Sequence, residues 1–521
     1  MRYQNHFSTR VTPQSEAIPG SKQVPNSAGG YAFAVDDWKR LERFLILGAE
    51  GGTYYIGQHK LVKENAEAVL RCIKADGRQV VNTVVEISEA GRAPKNDPAL
   101  FALAMCAGLG DKRTRQRAFT ALPKVARIGT HLFHFLDYVQ AFRGWGRSLR
   151  EGVADWYNRM PVEKLAYQVI KYRQRDGWSH RDALRLCHAK NAERNAIYGF
   201  VTQGKWEGDG LIGAYLEVQA TEDVKTVVKA IVDHRLPREA IPTQFLKDPS
   251  VWEALLEKMP MTAMIRNLGN MSKVGLLKPL SDASKKVVAE LGNEERLRKA
   301  RVHPLKILAA LSTYSEGRGF RGSGEWDVVP QVVDALDKAF YLSFGNVEST
   351  GQNVMLALDV SGSMTWSSIA GVGNITPRMG AAAMSLVTAN VEPNYAVMAF
   401  AGDLRKIAIS PRQRLDDVIR TTSRMPAGST DCALPMLYAL DRGLKVDLFC
   451  VYTDSETWFG QIHPIQALRK YREKMNPKAK LVVVGMVSNE FSIADPDDAG
   501  MLDVCGFDTA TPMIIHDFAT G

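Results

Sequence analysis

The sequence predicts a multidomain protein, an all-α domain followed by a doubly wound parallel α/β domain, and three observations carry that prediction. From about residue 36 to 344 apolar side chains recur at helical spacing. After residue 346 short, near-continuous apolar runs alternate with amphipathic segments, the pattern of a parallel sheet covered on both faces. Charge divides at the same place. Residues 346–521 carry 15 Lys/Arg against 19 Asp/Glu, net −4, whereas residues 1–345 carry 51 against 38, net +13. A chain of 521 residues is too long for one core. The expected division is 1–349 for the helical part and 350–521 for the α/β part.

The helical units can be read in order. In "DDWKRLERFLIL", Trp38, Leu41, Phe44 and Leu45 share one face and Asp36 or Asp37 supplies the N-cap. "ENAEAVLRCIK", "QVVNTVVEISEAG", "DPALFALAMCAGLG", "DKRTRQRAFTALPKVA", "GTHLFHFLDYVQAF", "SLREGVADWYNRM" and "PVEKLAYQVIKYR" follow, punctuated by Gly, Pro and Asp. Many helices joined by short turns fit a stack of helix pairs of the HEAT type, or an irregular helical domain. In the second part "NVMLALDV", "YAVMAFA", "LKVDLFCVYTD" and "KLVVVGMV" read as buried strands, with helical segments between them.

Several function classes are disfavoured. The six cysteines stand singly, with no CxxC pair, which argues against zinc clusters and redox dithiols. The first residues lack the apolar core of a signal peptide, and no run approaches a membrane span of ~20 residues. A cytoplasmic protein is expected.

"VMLALDVSGSMTW" ends a predicted strand with Asp359 followed by Ser361 and Ser363. Ligand sites of open α/β sheets lie at the carboxyl ends of strands. No lysine or glycine spacing of a P-loop accompanies this stretch. One carboxylate and two hydroxyls at alternate positions suit a hard cation such as Mg²⁺, which takes an octahedral shell of oxygens. "AGSTDCALPM" adds Thr430, and the strand in "LKVDLFCVYTDSET" ends at Asp454. The candidate metal set is therefore Asp359, Ser361, Ser363, Thr430 and Asp454. Thr365, Ser455 and His463 lie near these loops as ligand contacts or as caps, and Asp431 reads as a loop hydrogen-bonding residue.

The densest positive segment, "KYRQRDGWSHRDALRLCHAK", spans residues 171–190. Helical spacing puts Lys171 and Arg175 on one face. After a turn, Ser179 caps a second helix with Arg181, Arg185 and His188 on one stripe. Cations that reach phosphates, interleaved with Trp178 and His188 that can stack on bases, suit RNA; a solvated face with Trp178 as core anchor is the alternative. Arg143, Arg147 and Arg150, and then Arg301, His303, Lys306, Arg318 and Arg321, could line further polyanion surfaces.

"NSAGGYAFAVDDWKRLERFLILGAEGGTYYIG", "KYRQRDGWSHRDALRLCHAK", "LPREAIPTQFL", "MPMTAMIRNLGNM" and "RVHPLKILAALSTYSEGRG" resemble the TROVE module of the Ro autoantigen family, whose bacterial members are of similar length. "DVSGSM", "GSTDCALPM" and "YTDSETW" resemble the metal-ion-dependent adhesion site of a von Willebrand factor A domain, which follows TROVE in that family. The resemblance implies a ring of HEAT-like repeats whose ends the A domain joins. It implies small noncoding Y RNAs on the outer surface, at Lys171, Arg175 and His188, and single-stranded ends of misfolded RNAs in the central hole. It also implies a divalent metal, an exoribonuclease partner (polynucleotide phosphorylase) tethered through the Y RNA, no membrane partner, and a monomeric scaffold for RNA quality control without catalysis of its own. The rival reading is a metal-dependent protein-binding adaptor acting through the A domain.

Overall fold

The computed structural model describes residues 11–521 apart from 51, 54–56, 320–323, 346, 367 and 374. Arg321 therefore lies outside the described residues. Among the described residues from Asp37 to Leu342 the regular structure is helical, apart from one hairpin of two-residue strands and an isolated bridge between Arg318 and Glu325. Asp36 caps the helix Asp37–Leu47 by accepting from the backbone N–H of Lys39. The segments "ENAEAVLRCIK" and "QVVNTVVEISEAG" are joined in Gln58–Ala90, which breaks at Asp76, where φ is −153° and ψ 90°. The next predicted helices form at Asp97–Leu109, Lys112–Val125, Gly129–Gln140, Arg147–Arg159 and Val162–Lys171.

The helices close into a circuit. Arg301, just before the helix Pro304–Ser315, donates to the carbonyl of Glu89 at 2.7 Å. His303 caps that helix by accepting from Leu305 N at Nδ1, and its Nε2 donates to Arg92 O at 3.2 Å. The end of the helical part thus returns to the second helix of its beginning.

Eleven strands form among the described residues. In chain order they are β1 (Gln23–Pro25), β2 (Tyr31–Ala34), β3 (Gln174–Arg175), β4 (Trp178–Ser179), β5 (Asn353–Asp359), β6 (Asn394–Phe400), β7 (Leu404–Lys406), β8 (Leu448–Thr453), β9 (Lys480–Gly485), β10 (Phe491–Ser492) and β11 (Met501–Cys505). The main sheet has the order β11-β9-β8-β5-β6-β7, parallel except for the antiparallel edge strand β7. Alternation sorts its side chains between two cores. Val354, Leu356 and Leu358 join a core continuous with that of the helical part. Met355 and Ala357 join a second core under the helices Leu434–Asp441 and Pro464–Lys474.

The α/β part meets both ends of the helical part. Arg43, fully buried on the first helix, pairs with Asp503 of β11 at 2.5 Å and donates to the carbonyls of Asn489 and Phe491. Arg40 pairs with Glu490, and Arg92 with Glu42 and Asp508. At the other end Asp337 accepts from Leu415 N at 2.9 Å. Part of the positive excess thus sits in the interface. The N-terminal segment also belongs to this contact: β2 pairs with β10, Ala34 opposite Phe491.

Candidate metal centre and nucleic-acid interface

β5 and β8 are neighbours in register, so their C-terminal ends bring Asp359 and Asp454 to one place. Asp359 is fully buried. Its Oδ1 accepts from Ser361 N at 2.9 Å and its Oδ2 from Thr453 Oγ1 at 2.7 Å. Ser361 and Ser363 hold their hydroxyl oxygens 3.0 Å apart, and Ser363 hydrogen-bonds the Asp454 carboxylate. Thr430 is buried in the second loop, and its carbonyl accepts from the N–H groups of Trp458 and Phe459. The three predicted loops therefore meet, with Thr430 tied to the Asp454 segment through backbone.

This donor set fits a hard cation. Burial, and then the charge of Asp454, push the Asp359 carboxyl up to about 7, and burial raises Asp454 as well. Two buried carboxylates held together are costly unless a positive charge compensates them. Ser455 Oγ, buried on a residue with φ of 62°, has no hydrogen-bond partner. Beneath the first loop the buried guanidinium of Arg378 donates to the carbonyls of Val360, Ser361 and Met425, which holds the loop closed. Among the described residues no group of three or more His, Cys, Asp or Glu is arranged for a metal, so the chemistry here rests on hydroxyls plus carboxylates.

The neighbouring residues have structural partners. Thr365 donates to Gly362 O within its turn. His463 is buried, donates from Nε2 to Glu16 O at 2.8 Å, and accepts from Gln23 Nε2 at Nδ1. Asp431 accepts from Gln14 Nε2 at 2.6 Å and from Ala433 N. Sequence reading missed this N-terminal strap and Glu456, whose buried carboxylate accepts from Ser27 N and Ala28 N. Gly30 allows the close approach: a Cβ there would lie 2.1 Å from Thr457 O.

On the basic side, the 171–190 segment differs from expectation in one respect. The helix Val162–Lys171 stops at Lys171, and Arg175 stands on β3 of a tight hairpin with β4. The two are therefore not on one helical face. The turn residues Asp176 and Gly177 both have positive φ, the Asp-Gly turn whose twist matches a hairpin. That dipeptide was the overlooked signal. The second helix forms as expected, His180–Cys187, with Ser179 and Asp182 in a capping box. It ends one residue before His188, which takes the left-handed C-cap position.

Arg175, Arg181, Arg185 and His188 are exposed and Lys171 is half-buried. Lys171 Nζ donates to Tyr167 OH at 3.2 Å and lies over the rings of Tyr167 and Tyr172. Among the described residues the Arg175 guanidinium makes one ion pair, with its neighbour Asp176 at 3.4 Å. Trp178 is a core anchor against Trp145, not an exposed stacking platform. Arg147 and Arg150 are exposed, Arg147 pairing with Glu151 at 2.7 Å. Arg143 is structural, donating to Ala107 O and lying over Phe119.

A second group of cations assembles from distant helices. Burial, then the neighbouring charges of Arg266, Arg127 and Lys95, lowers the Lys306 ammonium, and burial, then Arg301, lowers Arg127. His131 is pushed down to about 4 by burial and by Arg127. Lys306 keeps solvent access while protein crowds it, as a cation on a concave wall does. Asp97 faces Lys306 and His131, and Glu89 faces Arg127. Arg127, Arg266 and Lys95 carried no local sequence signal, because only closure of the circuit brings them together.

A closed helical circuit joined at both ends to an α/β domain with hydroxyl-bearing loops defines a TROVE-type module coupled to a von Willebrand factor A domain. The TROVE domain model matches residues 24–207 and 234–316, and the Ro60 vWA domain model matches residues 353–519. The RNA-binding protein RO60 of Deinococcus radiodurans is 43% identical over 518 residues, covering 98% of this chain and 97% of that protein. The RNA-binding protein RO60 of Caenorhabditis elegans is 35% identical over 597 residues, covering 98% and 92%. The crystal structure of the Deinococcus radiodurans RO (RSR) protein superposes with a TM-score of 0.72 at 42% identity, covering 93% of this chain and 100% of that one. This chain belongs to the Ro60 family.

Proposed function

We propose that this protein is a monomeric, cytoplasmic RNA-binding scaffold for noncoding-RNA quality control. Y-type RNA hairpins lie on the surface formed by Lys171, Arg175, Arg181, Arg185 and His188, and single-stranded ends of misfolded RNA reach the concave group of Arg127, Arg266, Arg301 and Lys306. The carrying observation is that these cations gather at two places with few carboxylates to neutralise them. The relatives' names as RNA-binding proteins support the same reading. Six free, buried thiols fit a reducing compartment, and among the described residues no helix is long and apolar enough to cross a membrane. The chain acts without catalysis of its own, and an exoribonuclease tethered through the bound RNA does the cutting.

Ser361, Ser363 and Thr430, with Asp359 and Asp454, would hold Mg²⁺, which when bound supplies a positive charge for an acidic group of a partner. Phosphate contacts supply most of the RNA affinity, so binding falls steeply with salt. Gel-shift titration of a Y-type hairpin tests this. Lys171→Ala with Arg175→Ala weakens binding and lowers the salt slope by about one for each cation removed; unchanged affinity would refute the assignment.

A second reading, a protein-binding adaptor acting through the A domain, is favoured by the exposed Trp366, Trp458 and Phe459 beside the metal loops. Purification without nuclease separates the two, because absorbance near 260 nm follows the protein only under the RNA reading.

A further inference from the structure

Between the helices Val162–Lys171, Gly210–Ala220, Val224–His234 and Pro249–Glu257 lies a cavity of about 690 Å³, within the ~300–1,000 Å³ of small-ligand sites. Most of its wall is aliphatic, from Val162, Ala166, Ile197, Ile212, Ile231 and Leu255. The wall from Leu211 to Val232 falls between the two matched TROVE segments. The rest of the lining differs in chemistry: it is aromatic at Tyr167 and Trp206 and basic at Lys171, Arg235, Arg238 and Lys258. Glu163, Glu239 and Glu257 also border it, but Glu257 is already paired with Lys286 at 2.6 Å.

Two donors on lining residues, Trp206 Nε1 and Arg238 Nε, are buried without a hydrogen-bond partner. Trp206 Nε1 packs toward Gly208 and Gly213 and the Arg238 guanidinium lies over the Trp252 ring, so what these two residues offer a ligand is an aromatic face and a positive charge. Among the described residues Lys171 makes no ion pair, and its bond to Tyr167 OH holds the ammonium beside the aromatic lining. Aliphatic walls with aromatic faces, and four cations against the two carboxylates of Glu163 and Glu239 once Glu257 is paired, together match one ligand chemistry. A nucleobase offers a π-face and ring or carbonyl acceptors, and its phosphate offers negative charge. A simple acyl chain would offer no π-face to the rings of Tyr167 and Trp206.

We propose that this cavity takes a single nucleotide, its base between the aliphatic wall and the rings of Tyr167 and Trp206, its phosphate toward Lys171 and Arg235. The inference rests on the RNA-binding reading, since an RNA held at Lys171 and Arg175 delivers an unpaired nucleotide to this place. The same chemistry could also come from a free mononucleotide.

The test uses the full chain and an RNA hairpin with one unpaired 5-iodouridine, irradiated and mapped by mass spectrometry. The expected adduct is on Tyr167 or Trp206. Ala166→Phe, which fills the cavity, removes the adduct and weakens this hairpin at least fivefold, while binding of a fully paired duplex changes less than twofold. Tyr167→Leu, with its melting temperature checked, loses the adduct without relying on an enlarged side chain. If the hairpin binds, the adduct lies elsewhere and Ala166→Phe changes nothing, the cavity assignment is overturned and the RNA reading stands. Wild-type protein that binds no hairpin overturns the RNA reading instead. Titration of UMP, read by tryptophan fluorescence, then decides: saturable binding lost in Ala166→Phe keeps the nucleotide with a free source, and no binding overturns it.

Discussion

His303 does two jobs with one ring, capping the helix Pro304–Ser315 and binding the carbonyl of Arg92. Burial pushes its imidazole down to about 3, and His180, buried against Tyr157 and Phe133, is pushed equally far. Both rings are neutral in the folded protein, whereas in the unfolded chain each takes up a proton near 6.5. The unfolded state therefore binds more protons between pH 6.5 and about 3, so their stability contribution is full above 6.5 and is lost on acidification. We expect His303→Gln to remove about one proton's worth of that slope, roughly 1.4 kcal/mol per pH unit. Chemical denaturation at pH 7, 5.5 and 4.5 checks it, and an unaltered slope contradicts the argument. His303→Ala loses the cap and orphans a carbonyl, which costs about 1–3 kcal/mol at pH 7 in the same measurement. At this scale the sequence indicates residue type better than role. His303 and His463 stood beside charged or metal-ligand residues, yet both bond the chain's own backbone, through contacts 211 and 447 residues apart.

The three loops at the carboxyl end of the sheet behave as one element because β5 and β8 hold Asp359 and Asp454 in register. Without a cation, the Asp359 carboxyl is raised from 3.8 to about 7, so the folded state binds the extra proton. Stability attached to it is present below about pH 4 and is lost as pH rises toward 7. The proposed Mg²⁺ would need the deprotonated carboxylate, so its stabilising effect would grow over the same window. Thermal melts with Mg²⁺ or EDTA are expected to diverge more at pH 8 than at pH 5.5, and Asp359→Asn closes the gap at both. A Mg²⁺ response equal in wild type and Asp359→Asn would remove the metal from this site. The elements that build the site were readable because β5, β6, β8 and β9 are long, buried on both faces and nearly continuous in apolar residues. The elements missed are short and take meaning only from their partners. β10 has two residues and pairs with β2, more than 450 residues earlier. β3 and β4 were hidden because Arg175 of β3 happens to stand at helical spacing from Lys171 on the preceding helix, while Asp176 and Gly177 turn the chain.

At the scale of the whole molecule, the two parts share one core and one buried ionic seam. Val354, Leu356 and Leu358 of the sheet belong to the same cluster as the helical residues Leu41, Phe44 and Val84. Arg43, fully buried, meets Asp503, which is about nine-tenths buried and also accepts from Ser492 Oγ at 2.6 Å. No local pattern could mark Arg43, which reads as one cation among many on an amphipathic helix; its role exists only once the α/β part lies against it. A buried pair is weak evidence for stability as such, but removing one partner leaves an uncompensated charge and costs about 3–5 kcal/mol. In wild-type protein the shared core couples the parts, so calorimetry is expected to record their unfolding as one overlapping transition. Arg43→Ala destabilises the seam and pulls the A-domain transition to lower temperature, separating it from the helical part. The double variant Arg43→Met with Asp503→Leu replaces both charges by apolar groups and recovers most of the loss, because neither charge is then buried alone. If Arg43→Ala leaves a single transition at the wild-type temperature, the seam does not hold the parts together. If the double variant melts no higher than Arg43→Ala, the loss came from packing rather than from the orphaned carboxylate.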